Sequence, residues 1–125
     1  KFEIQSGAGQ SLSNDWPLFR YGDLLLMKAE VEWKLGNDAA ALDAVNQVRT
    51  RAGVAALSTV DADILLAERG REMFAEGYRR SDLIRFGKYN EAWWEKEASD
   101  EFRNIFPIPQ GQLDVNNGLT QNTGY

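Results

Sequence analysis

The strongest pattern in the chain is an apolar stripe at helical spacing. From Leu18 to Leu35, the residues Leu18, Tyr21, Leu24, Leu25, Ala29 and Val31 recur every few positions, which predicts a helix. Asn14-Asp15-Trp16-Pro17, just upstream, supplies residues suited to capping and helix entry. Gly36-Asn37-Asp38 interrupts the stripe, and Asn37 or Asp38 can cap a second helix. That helix carries Ala41, Leu42, Val45 and Val48 on one face until Gly53 ends it. Two helices joined by so short a turn pack antiparallel, so a helix pair is expected over about 18–53.

Ser58, Thr59 and Asp61 are candidate caps for a third helix, expected over about 62–76 and broken by Gly77. Ser81 or Asp82 can open a short helical turn that ends at Phe86-Gly87. Tyr89 to Ala98 reads as moderately helical and contains the adjacent Trp93 and Trp94. From about residue 99 to 125 the periodicity fades into an irregular C-terminal segment. Within it, Phe106-Pro107-Ile108-Pro109 is an extended, proline-fixed stretch expected to pack on the helical core. Residues 1–14, rich in Gly, Ser, Gln and Asn, read as a loop or linker from an upstream segment. No stretch alternates at period two. The expected fold class is all-α: antiparallel helix pairs of tetratricopeptide-like type with an irregular C-terminal wrap over 15–125. The spacing of Ala29, Gly36 and Ala41 supports the tetratricopeptide-like reading, because small residues there let two helices approach closely. Lys28 and Glu32 depart from that repeat. No second repeat with the same phasing follows, so the missing neighbours are expected in the rest of a longer protein.

Composition removes whole classes of chemistry. The 125 residues include no cysteine and no histidine. Thiol catalysis, iron–sulfur clusters, histidine-ligated metals and Ser-His-Asp hydrolysis are therefore excluded. No metal or other cofactor is expected. A net charge of −5 weighs against nucleic-acid binding, which needs a basic surface. No apolar run approaches the roughly 20 residues that cross a bilayer. The chain opens Lys1-Phe2-Glu3, with neither an initiator methionine nor a signal peptide, and is expected to be a mature or excised piece of something longer.

Two groups of residues could carry a site. Glu68, Glu72 and Glu76 recur every four positions and so share one helix face. They could bind a divalent cation or perform glycosidic acid–base work. The favoured reading is structural: ion pairs with Arg69, Arg79, Arg80 and Arg85, in a chain where nine of fourteen basic residues are arginine. Glu30 is similarly expected to pair with Arg49 or Arg51. A glycosidase would need two carboxyls set apart across a cleft, which neighbours on one helix do not supply, so no catalytic residue is assigned and the protein is not expected to be an enzyme. Trp93 and Trp94 are the candidate ligand-binding residues, since an exposed indole can stack on a sugar ring; burial in the core is the plainer alternative.

Taken in order, several segments resemble the C-terminal region of the SusD/RagB family. They are Arg20-Tyr21 leading into Leu24-Leu25-Leu26-Met27 and Ala29-Glu30, then Asn46, Val48, Arg49, Arg51, Ala52 and Gly53. Glu68-Arg69, Glu72, Glu76-Gly77, Arg79 and Asp82-Leu83-Ile84-Arg85-Phe86-Gly87-Lys88 follow. Phe106-Pro107-Ile108-Pro109 and the ending Gln121-Asn122 with Gly124-Tyr125 complete the series. The resemblance runs from about Asp15 to Tyr125. It implies the last quarter or so of a mostly helical, lipid-anchored protein on the outer face of the bacterial outer membrane. Such a protein captures glycans or other nutrients for a TonB-dependent (SusC-like) transporter and is not an enzyme. The resemblance places the main ligand site upstream of this chain, and the membrane would be touched only through an upstream lipid anchor. The alternative is a tetratricopeptide-type protein–protein interaction module with no ligand of its own.

Overall fold

The apolar stripes wind into two helices of equal length, α1 at Tyr21–Lys34 and α2 at Asp38–Arg51. The computed structural model describes residues 17–125; the expected loop over 1–14 and the capping residues Asn14, Asp15 and Trp16 lie outside the described residues. Arg20, in extended backbone, occupies the N-cap position of α1 and supplies no side-chain cap. The helix ends at Gly36, whose φ of +80° suits a residue without a Cβ. There the Gly36 N–H donates to the Trp33 carbonyl at 2.9 Å and the Asn37 N–H to the Glu32 carbonyl at 2.8 Å, satisfying carbonyls that the last turn leaves open.

Helices α1 and α2 pack along much of their length. Ala29, Ala41 and Ala44 are fully buried, so the two backbones approach closely, while Leu26, Val45 and Val48 fill the space beside them. Leu65, from the third helix, completes this core, with Trp33, Leu57, Val60 and Phe86 packed around its rim. Each large aliphatic buried here contributes about 1.5–3 kcal/mol of transfer free energy.

The third helix, α3, spans Ala62–Glu72, with Asp61 as its cap: the Asp61 carboxylate accepts from the Ile64 N–H at 2.7 Å. It stops four residues before the expected 76. Residues 73–77 form a turn instead, with Ala75 at φ +62° and Gly77 at φ +83°. Helix α4 follows at Arg79–Arg85. Tyr89 to Ala98 is not helical: Trp93 and Lys96 exchange backbone hydrogen bonds across a tight turn, and Glu95 sits at φ +59°. A short 3-10 helix at Glu101–Asn104 and helix α5 at Gln110–Val115 give the C-terminal segment more order than its sequence suggests. Among the described residues there is no strand, and the fold is all-α with a tetratricopeptide-like helix pair. No helix of the described residues is long and apolar enough to cross a membrane.

The Phe106–Pro109 stretch is held differently from the expectation. Ile108 is half-buried, but Phe106 is 70% exposed, capped by the Arg80 guanidinium 4.0 Å from its ring centroid. The stretch is secured by polar contacts from the C-terminus. The Gln121 side chain accepts from the Ile108 N–H at 2.8 Å and donates to the Ile108 carbonyl at 2.9 Å. Asn122 donates to the Phe106 carbonyl and the Tyr125 hydroxyl to the Ile105 carbonyl, both at 2.8 Å.

Closeness of α1 and α2 yields a direct test. Ala44→Leu should lower unfolding free energy in urea by about 1–3 kcal/mol through overpacking. Ala39→Leu, on the exposed side of the same helix, should stay within about 0.5 kcal/mol of the parent.

Candidate functional site

Arg69 is the largest fully buried side chain of the described residues, at 2% exposure. It projects from α3 between two equally buried carboxylates. Its Nε donates to Asp82 of α4 at 2.7 Å and its Nη1 to Asp23 of α1 at 3.2 Å. The chain of charges continues outward: Arg85 donates to Asp82 at 2.8 Å and grips Glu30 of α1 with two bonds at 2.7 and 2.8 Å. Lys34 adds a third donor to Glu30 at 2.8 Å. Three carboxylates thus face three cations, so the cluster is neutral as a whole. Arginine suits this position because its fork reaches two acceptors at once. Glu30 pairs with Arg85 and Lys34, not with Arg49 or Arg51 as expected, because the long Arg85 side chain of α4 reaches across to it and Lys34 stands one turn along α1.

The glutamate row on α3 is likewise saturated with arginine, though from other partners than the sequence suggests. Glu68 accepts from Arg49 of α2 at 2.8 Å and from Arg71 at 2.6 Å. Glu72 binds Arg51 of α2 at 2.7 Å and also Arg20. Arg20 Nε donates to Glu76, on the 73–77 turn, at 2.7 Å. Gly22 makes room for the Arg20–Glu72 contact, since a Cβ there would stand 2.7 Å from both Arg20 Nη1 and Glu72 Oε1. Arg79 and Arg80 serve backbone carbonyls instead: Arg79 that of Leu66 at 2.7 Å, Arg80 those of Arg103 and Asn104 at 2.9 and 3.1 Å.

These surroundings move three ionisations. Burial alone would raise the Glu30 carboxyl; the hydrogen bonds from Arg85 and Lys34 outweigh it and hold it below the usual carboxylate range. Hydrogen bonding to Glu30 raises the Arg85 guanidinium further against the opposing effect of burial. For Arg20, burial pulls down, but Glu76 and Glu72 together lift it. Each of these carboxylates is tied to at least one guanidinium. Among the described residues no group of three or more acidic side chains is arranged to hold a metal ion. The row does structural work.

Trp93 and Trp94 fall on the tight turn rather than on a helix, and the structure separates their roles. Trp93 is 43% exposed, edge-on to Tyr89 at 6.5 Å, with the Lys96 ammonium 4.5 Å from its ring centroid. Together with Leu83, Lys88 and Glu91 it lines a hollow of about 400 Å³. Trp94 is 86% exposed. Asp23 is the residue that sequence reasoning missed. Its signal is a carboxylate three residues before Leu26 and seven before Glu30, on the helix face that goes inside.

Two outcomes follow for the charge cluster. Arg69→Met should cost about 3–5 kcal/mol in urea unfolding, since it strands two buried carboxylates, and Arg69→Lys should fail to restore the loss. Because folding lowers the ionisation of Glu30, its contribution is present above the ordinary carboxylate range and fades as pH falls through the lowered value. Stability measured from about pH 6 to pH 3 should therefore decline less steeply in Glu30→Gln than in the parent, with the variant weaker at neutral pH.

Comparison with known proteins agrees with this architecture. The chain is 35% identical over 121 residues to the starch-binding protein SusD of Bacteroides thetaiotaomicron, covering 89% of this chain and 22% of that protein. It is 36% identical over 121 residues to SusD-like protein P38 of Formosa agariphila, covering 86% of this chain and 24% of its relative. Among solved structures, the surface glycan-binding protein A from Bacteroides uniformis superposes with a TM-score of 0.72 at 32% identity, over 83% of this chain and 26% of that one. The chain thus spans about a quarter of the length of these relatives. The SusD family model matches residues 3–103, and the chain belongs to the SusD family.

Proposed function

We propose that this chain is the helical C-terminal part of a cell-surface protein that captures glycans and delivers them to a TonB-dependent (SusC-like) outer-membrane transporter. The observation that carries this reading is the likeness, along most of the chain, to a starch-binding and a surface glycan-binding protein. Attachment to the outer face of the outer membrane would come from a lipid anchor on a segment outside the chain. The buried carboxylates, each engaged by an arginine, support a binding role over a hydrolytic one, because an ion-paired carboxylate is poorly placed to act as acid, base or nucleophile. Trp93 and Trp94 form the ligand-binding turn this part would add, Trp94 as the touching residue and Trp93 as its support, with the main site of the whole protein upstream.

A second reading, a protein–protein interaction module, draws on a specific feature. Tyr21, Leu24, Val31 and Leu35 form an exposed apolar stripe along α1, continued by Leu18 and Phe19. An apolar face of this kind marks a contact surface. The two readings are compatible, since a capture protein that serves a transporter must also dock on other protein surface.

The test is made in the source cells. An antibody against the chain should label intact cells, follow the outer membrane on fractionation, and co-precipitate a TonB-dependent transporter. Disrupting the locus should abolish growth on at least one glycan while leaving growth on its monosaccharide intact. Recovery of the protein from the cytosol, with growth on every glycan unchanged, would overturn the proposal.

A further inference from the structure

The turn at residues 93–96 is built more firmly than a connection requires. The Trp93 N–H donates to the Lys96 carbonyl at 3.0 Å and the Lys96 N–H to the Trp93 carbonyl at 2.9 Å, so the turn is closed from both sides. Closure holds Glu95 at φ +59°, a conformation unfavourable for a residue with a Cβ. Lys96 locks the arrangement from below. Its ammonium donates to the carbonyls of Glu91 and Glu97 at 3.1 and 3.0 Å and lies against the rings of Trp93 and Tyr89. Ser99 and Asn90 tie the base of the turn, at 3.1 Å between side chains and 3.0 Å between backbones.

All of this order serves to hold out one side chain. Trp94 is 86% exposed, and no ring, cation or hydrogen-bonding group among the described residues partners it. Strained backbone held by its surroundings at an exposed aromatic suggests a functional constraint. A pyranose ring fits such a platform: its C–H face stacks on the indole, and the indole N–H can donate to a hydroxyl.

Charge around the turn narrows the class of sugar. The positive charge of Lys96 is turned inward, onto carbonyls and rings. Lys88 is taken by Glu91 at 3.3 Å. Glu95 and Glu97, both exposed, have no cationic partner among the described residues. With Lys88 and Glu91 paired, Glu95 and Glu97 outweigh the single charge of Lys96, so an anionic sugar approaching Trp94 meets a net negative turn, whereas a neutral one is not repelled.

We propose that the 93–96 turn is a carbohydrate-stacking subsite in which Trp94 touches the ligand, Trp93 and Lys96 form its pedestal, and Glu95 and Glu97 select neutral pyranose glycans over uronate or sulfated ones. The proposal rests on the glycan-capture reading above and adds to it a contact residue and a ligand class.

The test follows the indole N–H signals of the full chain by NMR. Probes are neutral hexaoses, α-linked maltohexaose and β-linked cellohexaose, and an oligogalacturonate of similar length. At least one neutral hexaose should move the Trp94 signal, with loss of binding in Trp94→Ala. The galacturonate should bind about tenfold more weakly at low ionic strength, the gap closing near ~1 M salt as the charges are screened. Replacing Glu95 and Glu97 together by Gln should narrow the gap without salt. Equal or tighter galacturonate binding at Trp94 would overturn the selectivity while leaving glycan capture standing. If neither neutral hexaose moves Trp94, or if the purified transporter moves it and no sugar does, the subsite itself is overturned. The surface-labelling and growth experiments judge the wider reading separately.

Discussion

Arg69 is buried between Asp23 and Asp82, and the placement of three helices depends on it. A guanidinium out of water is costly unless its donors are met, so α3 can lie only where α1 and α4 present carboxylates at its two edges. Helix α4 is seven residues long, and its backbone makes no extensive close approach to α1. What ties it to α1 is reach: Asp82 through Arg69, and Arg85 through Glu30. Apolar packing gathers α1, α2 and Leu65 of α3, but hydrophobic contact is non-directional and would tolerate several settings of so short a helix. The charged relay is directional, and removes that latitude.

The same logic explains where the sequence could be read and where it could not. The helix pair was legible because its cause is local: apolar residues every three or four positions, and Gly36 where the chain must turn. Saturation of Glu68, Glu72 and Glu76 by arginine was legible in kind, since so many arginines beside so many carboxylates must meet. Which arginine meets which carboxylate was not. Arg20, just before α1, and Arg49 and Arg51 of α2 reach α3 from up to 52 residues away in sequence, and only tertiary packing brings them there. Asp23 stayed hidden for a related reason: a lone carboxylate in an apolar run looks like a surface residue until its buried partner is known.

Two failures of local reading share another cause. Tyr89 to Ala98 has helix-forming residues, yet forms a turn, because the Lys96 ammonium finds carbonyls and aromatic faces that a helix would have kept apart. Residues 73–77 leave the helix where Glu76 meets Arg20. In both places a long cationic side chain satisfies several acceptors at once and overrides propensity, which is worth only a few tenths of a kcal/mol per residue. Candidate ligand residues suffered the same uncertainty. Trp93 and Trp94 were identified as a pair, but a helix would have pointed them about 100° apart on a regular surface, whereas the turn makes one a support and the other a projection.

The exposed stripe on α1 and the projecting Trp94 are therefore different kinds of exposure. Tyr21, Leu24, Val31 and Leu35 follow the helix period and share one face with the exposed Lys28, which suits a broad partner that buries the apolar residues together. Trp94 stands alone, next to the strained backbone of Glu95 and beside carboxylates without a cationic partner among the described residues. A broad protein surface that covered it would also bury Glu95 and Glu97 and would have to supply cations for both. A small neutral ring would cover the indole and leave those carboxylates in water. On desolvation alone, the stripe suits a protein contact and the turn suits a sugar, and one chain can present both.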